Sequence, residues 1–158
     1  MRALAVIVLA AALMPGEPPR TSVSFIVSSK RATKNLSSAE VRRIFLGQTS
    51  RWHDGHRITL FVRPSKTPEG RLFLDRVVHM SEIDYSQWWI GAVFRGEAAS
   101  VPRVIETADG MVKAVAANED AIGFIGWPVN GADVTVLTID GKTPDDPAYP
   151  IARSLQER

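Results

Sequence analysis

Residues 58–73, with the sequence ITLFVRPSKTPEGRLF, constrain the fold most, because they join a buried strand to a helix through a short loop. Residues 58–62 are almost entirely apolar, which predicts a strand covered on both faces. Thr67 is a typical helix N-cap, and Pro68 suits the first helical position because the N–H that proline lacks has no partner there. A covered strand that leads into a helix is typical of an α/β protein.

Polar groups gather where this strand meets the helix. A helix N-terminus carries about half a positive charge, so a guanidinium, hydroxyls and free backbone N–H groups beside it favour an oxyanion. Five residues supply such groups: Arg63, Ser65, Thr67, Gly70 and Arg71. The segment therefore predicts a site for phosphate or a similar oxyanion, with Arg63 as the charge that pairs with it. The alternative is a structural strand, turn and helix, to which Glu69 brings its own negative charge.

Composition is that of an ordinary globular protein. Of the 158 residues, 45% are hydrophobic and 23% are charged, and a chain of this length buries a core without disulfides or metals. The formal net charge is only +2, and no basic run is interleaved with aromatic residues, which argues against a nucleic-acid partner. The absence of cysteine excludes a disulfide framework and a lipid-modified cysteine.

The N-terminus indicates export. Arg2 precedes the apolar run of residues 3–14, and Pro15 and Gly16 end that run before a polar stretch. This pattern is typical of a secretory signal peptide, and the run is shorter than the roughly 20 apolar residues of a transmembrane helix. The sequence thus predicts a signal peptide over residues 1–20, a periplasmic location and no stable membrane insertion.

Beyond the signal peptide, strand patterns alternate with helix patterns. Apolar β-type runs occupy residues 23–27, 58–62, 121–127 and 134–139. Helices are predicted after three N-cap residues and over one further segment: Ser37, Ser81, Thr107 and residues 68–79. The alternation predicts a three-layer α/β/α domain over residues 21–140, with a mostly parallel sheet that binds ligands at the carboxyl ends of its strands. Residues 141–158, which contain three prolines, are predicted to form an irregular tail.

Two further groups of residues are candidates for function. His53, Asp54 and His56 form either a metal site or a solvated turn, and the turn is the preferred interpretation because no further ligand lies at metal-site spacing. Trp88 and Trp89 point about 100° apart on a helix, which predicts one in the core and the other partly exposed as an interface candidate. No G-x-S-x-G elbow occurs, and the sequence predicts no catalytic residue, no metal centre and no cofactor.

Several short motifs resemble those of one protein family. LSSAE at residues 36–40 and IFLG at residues 44–47, followed by Trp52, resemble the capped helix, I-F-x-G end and tryptophan of the substrate-binding proteins of phosphate ABC transporters. Arg63 then falls where that family has a strand-ending arginine before its anion loop. The resemblance covers about residues 25–127.

The later part of the chain continues the same order of motifs. Phe73 matches an aromatic residue on the helix that follows the family's anion loop, and AIGF at residues 121–124 resembles its late Ile-Gly-Tyr strand. Where the family has Gly-Ser-Gly-Thr, this chain reads KTPEG at residues 66–70, so one hydroxyl and one glycine carry over beside the arginine.

The resemblance implies one lobe of a type 2 periplasmic binding protein-like fold. It also implies a non-catalytic protein that binds phosphate or a related oxyanion for an ABC transporter permease. Family members are longer and close two lobes around the ligand, whereas residue 23 here corresponds to the strand that crosses into the second lobe. The chain is then a one-lobe binder, a homodimer that builds the missing wall, or a periplasmic interaction module that keeps the fold without a small ligand.

Overall fold

In the computed structural model, which describes residues 20–154, a mixed sheet lies between two helical layers. The strands are β1 (Arg20–Ser28), β2 (Asn35–Leu36), β3 (Thr59–Val62), β4 (Arg103–Val104), β5 (Ala121–Gly126), β6 (Val134–Val136), β7 (Thr138–Ile139) and β8 (Ala152–Ser154). The helices are α1 (Ser38–Phe45), α2 (Pro68–Phe73), α3 (Glu82–Phe94) and α4 (Ala108–Ala116), and a π-helical turn, Leu74–Val78, continues α2.

The main sheet has the strand order β4-β3-β5-β1-β6, with β8 paired to the start of β1, while β2 and β7 form a separate parallel pair. β3 pairs in parallel with β4 and β5, whereas β1 runs antiparallel to β5 and β6. β4, β3, β5 and β6 therefore point the same way. The predicted mostly parallel sheet is confirmed, with β1 as the reversed strand inside it.

Neighbouring residues of the central strand β1 face two separate cores. Phe25 belongs to the larger core, where its ring lies 5.6 Å from that of Phe45 and 5.9 Å from that of Phe124. Ile26 belongs to the smaller core with Met111 of α4. Burial of both faces explains why residues 23–27 are apolar with little alternation, and it produces the predicted three layers.

β5 is packed closely on both faces. On one face the ring of Phe124 stacks on Phe73, with centroids 4.4 Å apart. On the other face a Cβ at Gly123 would lie 2.4 Å from the sulfur of Met111. The glycine of the AIGF motif therefore leaves the space that the Met111 side chain of α4 occupies against the sheet.

The predicted helix starts are confirmed. The Ser37 hydroxyl accepts the N–H of Glu40 at 3.1 Å, and the Glu40 carboxylate accepts the N–H of Ser37 at 2.7 Å, which completes a capping box. Ser81 and Thr107 cap α3 and α4 by accepting a backbone N–H three residues ahead. Local capping chemistry thus determines where these helices begin.

The helix predicted over residues 68–79 changes its winding along its length. It is α-helical as α2 and π-helical from Leu74 to Val78. His79 then adopts a left-handed conformation with φ of 55°, and the next N–H, of Met80, donates to the Leu74 carbonyl. The predicted end of the helix is therefore confirmed, although its second half is not an α-helix.

The structure differs from the prediction in its short strands. β2 and β4 have two residues each, too few for a sequence pattern to reveal. Residues 134–139, predicted as one strand, are divided between β6 and β7, because the chain leaves β1 at the fully buried Leu137 to pair with β2.

The stretch predicted as an irregular tail also contains structure. β8 pairs antiparallel with β1, and the buried Tyr149 donates its hydroxyl to the carbonyl of Val23 at 2.7 Å. These contacts join residues about 126 positions apart, and such distant pairing leaves no local signal among the prolines. The tail is therefore packed on the sheet as far as residue 154.

Except for Arg20, which begins β1, the signal peptide predicted over residues 1–20 lies outside the described residues, as do residues 155–158. Among the helices of residues 20–154, none is long and apolar enough to cross a membrane.

Candidate functional site

Arg63 follows β3 directly and lines a cleft of about 350 Å³ at the carboxyl end of that strand. Of the other four predicted oxyanion ligands, Ser65 and Gly70 line the same cleft. Thr67 and Arg71 are absent from its lining, and the Arg71 side chain is exposed. The structure therefore brings three of the five predicted residues together.

The guanidinium of Arg63 already has two partners. Its Nε donates to Oε1 of Glu69 at 2.8 Å, and its Nη1 donates to the carbonyl of Ile105 at 2.8 Å. The Arg63 and Glu69 side chains are only 8% and 12% exposed. Among the residues that the structure describes, Nη2 has no hydrogen-bond partner. The Arg63 guanidinium, which was predicted to bind an anion, is thus paired with a carboxylate of the same chain.

The other predicted donors serve the start of α2. The Thr67 hydroxyl donates to the Pro64 carbonyl at 2.7 Å and accepts the N–H of Gly70 at 3.1 Å. The N–H of Arg71 donates to the Thr67 carbonyl at 3.0 Å. Of the two predicted hydroxyl donors, only that of Ser65 lacks a hydrogen-bond partner within residues 20–154. The side-chain groups left for a ligand are Nη2 of Arg63 and this hydroxyl.

The backbone packing around position 70 explains why this residue is glycine. A Cβ at this position would lie 2.0 Å from the Pro64 carbonyl oxygen. The turn from β3 into α2 is so tight that the backbone itself occupies the space of a side chain. Glycine is therefore required here for packing, whether or not a ligand approaches.

The remaining charges of the cleft do not favour an anion. Lys66 pairs with Glu106 at 3.4 Å on the exposed rim, and Glu82 of α3 also lines the cleft. With the two basic side chains each paired to a carboxylate, Glu82 contributes the surplus charge. Electrostatic attraction of an anion is therefore weaker than the sequence pattern alone predicts.

The His53 to His56 turn is held by a residue that the sequence analysis did not identify. Arg31, whose side chain is 5% exposed, donates from Nη1 to Asp54 at 3.1 Å and from Nη2 to Asp120 at 2.6 Å. His56 Nδ1 lies 3.1 Å from the same Asp120 oxygen. The backbone N–H of His56 is the main cause that lowers the pKa of Asp54. These contacts give the turn a structural role, anchored from the loop after β1.

A metal is not supported at this turn. Within residues 20–154, no group of three or more His, Cys, Asp or Glu side chains is placed to hold a metal ion. The guanidinium of Arg31 also lies 4.7 Å from the centre of the Trp52 ring. A cation–π contact of this kind further fixes Arg31 in its place between Asp54 and Asp120. No signal in the polar stretch around residue 31 indicates this role before the fold is known.

The adjacent tryptophans are divided as predicted, with Trp89 buried and Trp88 partly buried. The indole N–H of Trp89 donates to the Phe45 carbonyl at 3.2 Å, and that of Trp88 donates to the Leu46 carbonyl at 2.9 Å. Gly47 has a φ of 74°, and a Cβ there would lie 2.8 Å from the Trp89 ring. The IFLG motif thus ends α1 against α3, and its glycine leaves room for the ring.

Comparison with known proteins identifies the fold. No family model matches the sequence, and no curated protein matches it. Among solved structures, a Clostridium perfringens protein assigned as a phosphate ABC transporter substrate-binding protein, with bound phosphate, superposes with a TM-score of 0.68 at 16% identity. The chain shares its fold. An ABC-type phosphate transport receptor from Vibrio cholerae and PstS from Borrelia burgdorferi give TM-scores of 0.67 and 0.66 at 16% and 14% identity.

The extent of these matches confirms the predicted fold. Each covers 85% of this chain but only 54% to 55% of the other protein. The chain therefore spans about half the length of the phosphate-binding proteins that it matches, as expected for one lobe of a periplasmic binding protein fold. At these identities the likeness shows the fold alone.

Proposed function

We propose that the chain is a non-catalytic, exported solute-binding lobe that takes a small oxyanion such as phosphate in the cleft beside Arg63. The observation that carries this proposal is the position of Arg63 at the carboxyl end of β3, where ligands of α/β sheets bind. Nη2 of Arg63 and the Ser65 hydroxyl are the proposed direct ligands. Thr67, Gly70 and Arg71 are proposed to act indirectly, since their hydrogen bonds hold together the turn that carries Arg63 and Ser65.

Glu69 determines how strongly such an anion binds. Its carboxylate lies 2.8 Å from the same guanidinium that the anion needs. An incoming oxyanion has to displace this carboxylate or approach it against like-charge repulsion. We therefore expect weak phosphate binding in the protein as it stands, and tighter binding when the charge of Glu69 is removed.

The test is a phosphate titration of the folded protein by calorimetry in low-salt buffer, with chloride at equal ionic strength as the reference. Glu69→Gln keeps the shape of the side chain and removes its charge, and we expect it to bind phosphate about tenfold more tightly. The Arg63→Met/Glu69→Gln double variant leaves no charge in the pair and is expected to bind no phosphate. Lys113→Gln, an exposed change on α4, is the control and should match the starting protein.

Two results would contradict the proposal. If the double variant still gives a heat of binding with phosphate, the anion binds at another place. The absence of phosphate heat in both the starting protein and Glu69→Gln would mean that the lobe keeps the fold without this ligand. If phosphate binds, Ser65→Ala tests the second proposed ligand, because loss of its hydroxyl donor should lower the affinity for phosphate several-fold without changing the fold.

Export and transport belong to the same proposal. The apolar run of residues 3–14 supports a signal peptide and a periplasmic location, and a permease of an ABC transporter is the proposed partner. Expression of the full chain in a Gram-negative host, followed by osmotic release, tests the location. Recovery of the uncleaved chain in the cytoplasm would contradict it.

A second candidate function is a protein-interaction module, and the surface of α3 favours it. Ile83, Ile90 and Phe94 are 68%, 57% and 90% exposed. Their spacing of seven and four residues places them on one face of the helix. An apolar face of this kind is typical of a contact surface, with a partner protein or a second copy as the occupant. Sedimentation of the starting protein and of Phe94→Ser tests for self-association. A monomer in both would exclude the homodimer.

A further inference from the structure

A second cleft lies beside the amino end of β3, away from Arg63. Its volume is about 420 Å³, larger than the 350 Å³ of the Arg63 cleft. Its lining includes Ile44 and Gly47 at the end of α1, residues 57–61, and residues 97–103, which lead from the loop after α3 into β4. No residue lines both clefts. This volume falls in the range of small-molecule sites, which is roughly 300–1,000 Å³.

Two arginines in the lining of this cleft have no side-chain partner within the part of the chain that the structure describes. Arg57 precedes β3 and Arg103 begins β4, and both are exposed. Within residues 20–154, neither side chain makes a hydrogen bond or ion pair. The only carboxylate in the lining, Glu97, is held by Arg95 through two hydrogen bonds of 2.9 and 3.0 Å. The cleft therefore carries uncompensated positive charge, in contrast to the Arg63 cleft.

Part of the lining is apolar. The buried side chains of Ile44 and Trp89 line the cleft, together with the partly buried Ile58 and Leu60 of the β3 segment. Val101, also in the lining, is 50% exposed. Contact of Ile58, Leu60 and Val101 with an apolar ligand would remove their exposed surface from water.

Hydroxyl groups complete the lining. The four side chains that supply them are Thr49, Ser50, Thr59 and Ser100. Such groups accept or donate hydrogen bonds and orient a polar part of a ligand without adding charge. Two unpaired arginines, apolar side chains and a few neutral polar groups in one cleft fit a ligand with two chemically different parts.

We propose that this second cleft binds a small organic anion with an apolar body. Its carboxylate, sulfonate or phosphate head pairs with Arg57 and Arg103, and its aromatic or aliphatic part lies on Ile44, Leu60 and Trp89. Inorganic phosphate lacks the apolar part and gains little here. This site is independent of the oxyanion proposed at Arg63, because the two clefts share no lining residue.

The probe is 8-anilinonaphthalene-1-sulfonate, which carries a sulfonate on an aromatic body and becomes fluorescent in apolar surroundings. We expect saturable binding of one equivalent to the folded chain. The Arg57→Gln/Arg103→Gln variant should bind the probe about tenfold more weakly, since charge-assisted contacts are lost. N-phenyl-1-naphthylamine, a neutral relative without the sulfonate, should show no dependence on these arginines.

Matched variants separate this cleft from other surfaces. Arg42→Gln/Arg43→Gln removes the same charge from two exposed arginines of α1 that do not line the cleft, and it should bind as the starting protein does. Phe94→Ser tests the exposed face of α3 and should also leave binding unchanged. Equal weakening in both arginine pairs, unchanged binding in Arg57→Gln/Arg103→Gln, or loss of binding in Phe94→Ser would each overturn the assignment.

Discussion

Removal of one partner of the Arg63–Glu69 ion pair is expected to destabilise the fold more than removal of both. The two side chains are 8% and 12% exposed, and Nε lies 2.8 Å from Oε1. A buried charge that loses its partner keeps its desolvation cost without the compensating attraction, which typically costs about 3–5 kcal/mol. Because both side chains keep a little exposure, we expect about 2–4 kcal/mol for Arg63→Met or Glu69→Leu alone.

The double variant Arg63→Met/Glu69→Leu leaves no charge at this place. What remains lost is the hydrogen bond from Nη1 to the Ile105 carbonyl, whose removal costs about 1 kcal/mol. The free energy of unfolding of the double variant should therefore be about 1–2 kcal/mol lower than that of the starting protein. The coupling free energy between Arg63 and Glu69 should be at least about 2 kcal/mol. Each kcal/mol corresponds to about 2–4 °C in the melting midpoint of a domain of this size.

Urea unfolding followed by tryptophan fluorescence at pH 7 measures this cycle. The Arg95–Glu97 pair, with side chains 55% and 59% exposed, is the matched control. Its coupling should be much smaller and should fade in high salt, whereas that of the buried pair should persist. Additive losses at Arg63 and Glu69 would refute the reasoning, because the pair would then act as two independent surface charges.

Three further predictions concern the frame around the site. Phe124→Ala should lower the free energy of unfolding by about 3–4 kcal/mol in urea titrations, because its fully buried ring is deleted from the core. Gly70→Ala should cost about 1–3 kcal/mol in the same assay, since its Cβ would meet the Pro64 carbonyl. The Ser37 N–H lowers the pKa of Glu40, so this carboxylate stabilises the fold above its ordinary pKa of 4.5, and the contribution disappears as the pH falls through the lowered value. Glu40→Gln should therefore show a smaller loss of stability between pH 7 and pH 3, and an unchanged acid limb would contradict this.

Most elements of the fold are predictable from local sequence because their signals are local. The capping residues Ser37, Ser81 and Thr107 place three helix starts correctly, since each cap bonds a backbone group only three residues ahead. The apolar runs at residues 23–27 and 121–127 indicate central strands because both faces of β1 and β5 are buried. β2, β4 and β8 carry no such signal, because only their distant partners define them.

The candidate site shows the same division more sharply. The sequence by itself determined the strand that leads into Arg63, the Thr67 cap, the tight glycine turn and the nearby carboxylate of Glu69, because these depend on neighbours within seven positions. Only the tertiary structure decided that Arg63 also donates to the Ile105 carbonyl, 42 positions away, and that Arg57 and Arg103 are unpaired beside the apolar side chains of the second cleft. A sequence states which charges a chain carries. Which of them is compensated depends on side chains brought together by folding, and that pairing sets what each cleft can bind.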